Sequence, residues 1–430
     1  MGFWLFVLVN GTLLVRPADL IPGLNNLPIY NVLIVSCLAA TYSQIIKELE
    51  KRSLAETPIS ACVLGLFGML LLSNLARFDL ALMKETGVEF AKVVLYYLML
   101  LSVIDSAARL ERFLEALTVF ALIVAGLALC QYHGYVDLPA LQVLERVDYD
   151  DDGGASHSTQ LRSVGIYNDP NDLCLLLGMG VVIALYAIIE RKGFLRFLWA
   201  GPLGVLLYAL ILTRSRGGFL ALLVSLFCLF VSRFGLKKAV PLAALALPGL
   251  MLMSGGRQTE ISVGQGTAQE RMEKWKQGLI LFTHRPITGI GVNRYADEVG
   301  LVAHNSYVHA YVEMGFPGGT LFVGLFYFAF EGLRARYYEG LEEYDESLFR
   351  LRPYLIAMIA SYATGIFSLS RNYIVPTYII FGVAAVFHRM AAEPEASKGY
   401  QVNQAQFGRL LIVSVGTLAA IKLFLAVASH

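Results

Sequence analysis

The apolar residues of this chain come in long runs that recur from one end to the other, and this limits the possible folds more than any motif does. A helix crosses a bilayer core with roughly 17–25 mostly apolar residues. Runs of that kind fall near residues 2–15, 30–46, 59–75, 88–104, 113–131, 171–189, 195–213, 216–232, 237–254, 306–330, 353–369, 372–388 and 409–427. The first is short and is either a half or a full span, so twelve or thirteen crossings are expected. No soluble domain of ordinary size fits between the runs. Of the 430 residues 57% are hydrophobic and only 16% charged, whereas a soluble domain is about a quarter charged. The polar groups are too few to cover a water-facing surface. The expected fold is all-α: a polytopic transmembrane helical bundle forming a single integral membrane domain over residues 1–430.

The charges matter by position rather than by sum, since the formal net charge of +1 gives no basis for a nucleic acid partner. Basic residues cluster in every second short loop: Lys47, Lys51 and Arg52; Arg109 and Arg112; Arg191, Lys192 and Arg196; Arg233, Lys237 and Lys238; Arg334 to Arg352; then Arg389 and Lys398. By the positive-inside bias that side is the cytoplasm. The inner segment 331–352, with Tyr337 and Tyr338, reads as a surface helix. The outer side keeps an acidic loop at 132–170, a longer polar loop at 255–303 and a tight junction, Thr213-Arg214-Ser215-Arg216-Gly217-Gly218. The five cysteines lie far apart in apolar runs without paired spacing, so neither disulfides nor a zinc site is expected. The first residues lack a basic stretch and a small-residue cleavage site, so no removed signal peptide is expected. No internal repeat is visible, which disfavours the many transporter folds built from repeats.

Two arginines in a junction as short as TRSRGG, on the side where short loops avoid them, call for an explanation. Arg214 is equally suited to a phospholipid head group and to a ligand. For Arg216 a ligand is the better reading: guanidinium pairs with phosphate through two parallel hydrogen bonds, and Gly217 and Gly218 admit a close approach. The outer loop adds Arg271, Arg285 and Arg294. Residues 268–282 have helical periodicity, with Met272, Trp275, Leu279 and Phe282 on one side, and Pro286 ends that helix before Gly289 and Gly291 turn the chain. From such a compact loop the three arginines can converge. No lysine follows the glycines in P-loop spacing, which rejects a nucleotide site. Next comes His304-Asn305, where a neutral imidazole at the membrane edge can accept a hydroxyl proton. His309 shares a helix face with Glu313 and is either a rival base or half of a buried structural pair. Asp148-Tyr-Asp150-Asp151-Asp152-Gly153 fits the first half of a calcium loop, but Thr159 stands where a bidentate Glu belongs, so a solvated acidic loop is the better reading and no metal is expected. Arg162 and Gly165-Ile-Tyr-Asn168-Asp169-Pro170-Asn171-Asp172 lead into a span, with the Asn and Asp side chains suited to capping the helix and the polar cluster as a whole suited to contacting a sugar.

In order, GIYNDPND at 165–172, TRSRGGFLAL at 213–222, R-x3-W at 271–275, RPITGIGVNRY at 285–295 and HNSYVHAYVEMGFPGG at 304–319 resemble the O-antigen ligase and O-antigen polymerase superfamily of bacterial inner-membrane glycosyltransferases. The resemblance covers the middle third of the chain; the first 130 residues and the last 80 match only as generic spans. It implies a membrane glycosyltransferase fold of the C type in the bacterial inner membrane, with catalysis on the periplasmic face. The implied donor is an undecaprenyl-diphosphate glycan and the implied acceptor a glycan or glycolipid hydroxyl. In this resemblance Arg216 and Arg285 bind the donor diphosphate and His304 activates the acceptor. Arg271 is a lesser candidate, and Arg214, Arg294, Asn305, His309, Arg162 and Asn168 complete the expected substrate contacts. An acid that some members carry near the C-terminal end has no match here, where the outer turn reads Arg371-Asn372. A polyprenyl diphosphate is already an activated leaving group, so neither cofactor nor metal is expected, and the reaction inverts the anomeric carbon. A ligase transfers finished glycan to lipid A core; a polymerase joins lipid-linked repeat units. The sequence leans to the first. A flippase for the same donor would carry its charges at mid-membrane, whereas here they cluster on one face.

Overall fold

The chain is described by a computed structural model covering residues 1–21, 23–24, 27–51, 53–141, 143–149, 155–241, 244, 267–334, 345–392 and 402–428. Arg52, the calcium-like stretch from Asp150 on, most of the expected span 237–254, residues 255–266 of the outer loop, Tyr337 and Tyr338, and Lys398 lie outside the described residues. The helices are α1 (Gly2–Val15), α2 (Ile29–Lys51), α3 (Pro58–Leu75), α4 (Leu80–Val103), α5 (Ala107–Tyr132), α6 (Pro170–Glu190), α7 (Ala200–Leu212), α8 (Arg216–Phe234), α9 (Thr267–His284), α10 (Tyr295–Val299), α11 (Ser306–Gly332), α12 (Glu346–Gly365), α13 (Val375–Ala391) and α14 (Gln404–Ala428). Ten helical segments among the described residues are long and apolar enough to cross a membrane, and the apolar α13 is somewhat shorter. The first of the ten runs through Leu20, which makes the N-terminal segment long enough for a full span. The protein is a polytopic, all-α membrane protein.

Among the described residues, the acidic loop holds the only β-strands. Leu144–Tyr149 (β1) and Ala155–Gln160 (β2) pair antiparallel, with Asp148 opposite Ser156. The sequence reading expected an irregular loop here; a hairpin forms because Val147 and Tyr149 alternate with polar residues on the pattern of an edge ribbon. Asp148 therefore sits in an extended ladder.

The chain packs as two compact units. One comprises residues 1–42, 108–260 and 350–365; the other comprises 43–107, 261–349 and 366–430. In the first, α6 is central and buried along nearly its whole length, with α7 and α8 against it. A Cβ at Gly218 would overlap Cys174, so this glycine exists to let α8 close on α6. The close approach expected at this glycine is thus made by a neighbouring helix. In the second unit α11 is the buried centre, flanked by α3, α9, α13 and α14.

Each unit gathers charge at the helix ends expected to face the cytoplasm. In the first, Glu190 accepts hydrogen bonds from Arg233 and from the Tyr354 hydroxyl (2.9 Å), and its carbonyl oxygen accepts from Arg350 (3.2 Å). Arg191 pairs with Glu115 beside the 2.5 Å Tyr186–Glu111 bond. In the second, the buried Arg389 donates to the carbonyls of Leu101, in the last turn of α4, and of Ile104, its C-cap, and pairs with Glu48 at 3.1 Å. A cation at a helix C-terminus satisfies orphan carbonyls and complements the dipole. Within the first unit, Arg233 and Arg350, from separate basic stretches, thus converge on Glu190.

Candidate functional site

At the opposite helix ends, short polar side chains cap α4, α6, α8 and α11, whereas α13 starts behind Ile374 without a side-chain cap. Asp79 caps α4 by accepting from the Leu82 amide (2.9 Å) and Asp169 caps α6 through the Asn171 amide (2.7 Å). Ser215 caps α8 through the Gly218 amide (2.9 Å), and Asn305 caps α11 through the amides of Tyr307 (3.0 Å) and Val308 (3.1 Å). Such a cap is worth about 1 kcal/mol. Among the described residues the non-glycine residues with positive φ are Arg16, Phe78, Arg214, Asn293 and His304, and Phe78, Arg214 and His304 each directly precede one of these caps. A left-handed residue with a Cβ costs roughly 1–2 kcal/mol, and strain of this sort concentrates where function over-determines the backbone.

In the first unit the TRSRGG junction is tied to the NDPND segment. Ser215 Oγ donates to Asn171 Oδ1 (2.5 Å), and the Thr213 hydroxyl lies 2.9 Å from Cys174 Sγ. Arg214 and Arg216 are exposed and make no ion pair among the described residues. The first residue of a helix is where backbone N–H groups and dipole favour an anion, and Arg216 holds that place on α8. Asn168 is exposed at the end of a 3-10 turn, and Arg162, half-buried, keeps protein contacts of its own.

In the second unit the geometry is set by a break in α11. Gly315 has φ +70° and ψ −173° inside the helix, and Pro317 follows. In an unbroken helix the amides of residues 316 and 317 would bond to the carbonyls of 312 and 313. Here Pro317 has no N–H, and the Phe316 amide turns to the Pro286 carbonyl (2.7 Å). The freed Val312 carbonyl takes the Ile290 amide (3.0 Å) and the freed Glu313 carbonyl takes the Gly291 amide (3.1 Å). Ser73 Oγ adds a 2.6 Å bond to the same Glu313 oxygen. The loop from Pro286 to Gly291 is thereby clasped against the broken helix, which is how non-helical backbone survives among membrane helices. A Cβ at Gly289 would overlap the Glu313 carbonyl, and one at Gly315 the Ile287 carbonyl.

The side chain of Glu313, fully buried, completes the clasp. It accepts from His309 Nε2 (3.0 Å), the Tyr373 hydroxyl (2.9 Å) and the Tyr295 amide (3.2 Å). The Tyr373 hydroxyl is the donor in its bond to this carboxylate. His309 is the histidine of the expected Glu313 pair, buried between Tyr295 and Tyr373, and its Nδ1 has no partner among the described residues.

The clasp leaves Arg285 at its mouth: exposed, its carbonyl bonded to the Gly289 amide (3.0 Å), its guanidinium unpaired among the described residues. His304 is half-exposed at φ +46°, immediately before the Asn305 cap. Arg271, half-buried on α9, is engaged with the protein. Arg294 does not stand free beside Arg285; it pairs with Asp79. The Leu82 amide first, and Arg294 with it, hold the Asp79 carboxyl below the usual range. Sequence reasoning missed Asp79 and Tyr373. Asp79 was findable as a capping residue ahead of an apolar run, whereas Tyr373 carried no local signal.

These features define a class first: a multi-pass helical membrane protein with exposed arginines, unpaired among the described residues, and a strained histidine in its helix junctions. Residues 201–323 match the family described as O-Antigen ligase (Wzy_C), which supports a place for the chain in the O-antigen ligase superfamily. The match runs from α7 into α11 and takes in TRSRGG, the clasped loop and His304-Asn305. No curated protein matches the chain.

The clasp makes its own prediction. Gly315→Ala should cut glycan transfer by tenfold or more while leaving the far-ultraviolet helix signal near wild type. The substitution adds roughly 1–3 kcal/mol of backbone strain and a methyl group against the Ile287 carbonyl. Pro317→Ala should have a smaller effect, because it adds a competing amide for the Glu313 oxygen without a clash. Equal activity of both variants and wild type would show that the clasp does not matter.

Proposed function

We propose that this protein transfers a glycan from an undecaprenyl-diphosphate carrier to a sugar hydroxyl on the periplasmic face of a bacterial inner membrane, with lipid A core as acceptor. The acceptor oxygen attacks the anomeric carbon from the face opposite the diphosphate. The bond from that carbon to the phosphate oxygen breaks with its electron pair, and the polyprenyl diphosphate departs. His304 takes the hydroxyl proton. Arg216 and Arg285 are each proposed, on separate grounds, as ligands of the diphosphate, whose charge grows as it leaves and is best stabilised by fixed cations in a partly dry site. These arginines take the place a metal would hold, and the inversion follows from a single displacement. Arg214, Arg271, Asn168 and Arg162 are proposed as outlying contacts to the glycan. Arg294, Asn305 and His309, through their bonds to Asp79, the α11 amides and Glu313, serve such contacts by holding the neighbouring groups.

The observation that carries this reading is the clasp within the family-matched segment, which holds the loop of the unpaired Arg285 against a broken helix whose N-cap directly follows the half-exposed His304. A polymerase joining repeat units on the same chemistry is the second reading. The test is purified protein given a lipid-linked repeat unit with and without lipid A core. Glycosylated core is the expected product. Repeat-unit dimers formed without core would assign the polymerase, and return of unaltered donor from both mixtures would overturn glycosyl transfer.

A further inference from the structure

The turn between α3 and α4, Ala76-Arg77-Phe78-Asp79, carries a cation that sequence reasoning passed over. It is among the shortest junctions at the helix ends expected to face outward, the side on which short loops avoid arginine. Arg77 is half-buried, its Nε is shut off from solvent, and neither an ion pair nor a hydrogen bond satisfies it among the described residues. The acid of the junction is already committed, since Asp79 caps α4 and pairs with Arg294. Phe78, at φ +56° and 92% exposed, holds the turn in a left-handed conformation that a phenylalanine adopts only at a cost. A guanidinium with a buried, unsatisfied N–H is an incomplete arrangement, because an unmade buried bond costs about 1–3 kcal/mol.

Three contacts within this unit set the junction against the clasped loop. Ser73 bonds to the Glu313 carbonyl at the break in α11. Asn74, held by its Nδ2 to Thr86 Oγ1 (2.9 Å), keeps a buried and unpaired Oδ1 beside Gly291, where a Cβ would lie 2.9 Å from it. Asp79 holds Arg294, whose Nε is also buried without a partner. The turn therefore carries one unfilled guanidinium N–H, that of Arg77, and beside Gly291 of the clasped loop lie the unfilled Arg294 Nε and the unfilled amide oxygen of Asn74. Unfilled donors on cations call for an anionic oxygen, and the unfilled carbonyl calls for a hydroxyl. Phosphate esters of sugars and of lipid head groups carry both.

We propose that Arg77 is an oxyanion ligand, assisted by Arg294 Nε, that binds a phosphate oxygen beside the clasped loop. In the glycosyl-transfer reading, on which this assignment to the donor rests, the phosphate belongs to the polyprenyl diphosphate. The same chemistry would serve an anionic phospholipid head group, and the two sources separate by experiment. The full-length protein is placed in nanodiscs of phosphatidylcholine alone, or with one-third phosphatidylglycerol, and titrated with a short-chain polyprenyl diphosphate.

Arg77→Gln should weaken diphosphate binding by about tenfold or more in phosphatidylcholine discs, the loss expected for a charge-assisted pair. Arg77→Lys should fall between, keeping charge without the fork. The midpoint of thermal unfolding in phosphatidylcholine should stay near wild type, and the lysine variant carries the test if the glutamine variant folds poorly. Unchanged diphosphate affinity with loss of the stabilisation given by phosphatidylglycerol would keep the oxyanion site and assign it to lipid. Unchanged affinity and unchanged lipid response in both variants would overturn the proposal. A wild-type protein that binds diphosphate through Arg77 but transfers no glycan would sink the reaction and leave this site standing.

Discussion

His304→Ala is expected to lower glycan transfer by about 10²–10⁴-fold, the usual contribution of a positioned base, while donor binding stays near wild type. The sequence offered two histidines five residues apart, and the structure separates their surroundings. His304 is half-exposed, strained at φ +46°, and precedes the helix. His309 is buried, with Nε2 committed to Glu313 at 3.0 Å. A group already bonded to a buried carboxylate, itself held by Tyr373 and the Tyr295 amide, is placed to brace the clasp rather than to meet a sugar. His309→Ala should therefore act through stability. It removes one of three donors to a buried charge, at about 1–3 kcal/mol, so the unfolding midpoint falls before turnover does. Measured side by side, transfer rate, donor affinity and thermal midpoint distinguish the two. Turnover lost in His309→Ala alone, at normal stability, would move the base to the buried position.

Much of the helical frame was legible because its cause is local: a run of apolar residues long enough to span a bilayer has no other stable form. The Asp169 cap, the end of α9 before Pro286 and the His309–Glu313 pair were legible for the same reason, each resting on spacing within one turn. The break at Gly315 shows where that limit lies. Gly-Phe-Pro-Gly-Gly announces a weak point in a helix, but not which amides will fill the freed carbonyls, and those come from residues 290 and 291, more than twenty positions upstream. Arg294 marks the limit from the other side. It read as a partner for Arg271 and Arg285, yet its carboxylate is Asp79, 215 positions away and signalled in sequence only as a cap. Tyr373 and Asn74 matter solely through distant partners, and no periodicity reports them.

Arg216→Lys and Arg285→Lys should each reduce transfer by tenfold or more while leaving the protein abundant in the membrane. Both arginines are exposed and lack an ion pair among the described residues, so neither holds a helix in place and neither substitution should unfold the protein. Lysine keeps the charge but offers a single compact, strongly hydrated donor group, where guanidinium presents a planar fork matched to two phosphate oxygens. A site that uses only positive potential would tolerate the change; a site that orients a departing diphosphate would not. Arg285 has the stricter requirement, since the Gly289 amide on its carbonyl and the 2.7 Å Phe316–Pro286 bond fix its backbone. For Arg216, at the first residue of α8, helix amides would contribute alongside the side chain, so its lysine variant should keep more activity than that of Arg285. The measurement is initial rate against donor concentration for both variants. A raised KM with unchanged kcat would mean that the arginine holds the donor equally before and during transfer. A fall in kcat would mean that it stabilises the leaving group. Near wild-type values of both parameters would reduce that arginine to an anchor on lipid head groups.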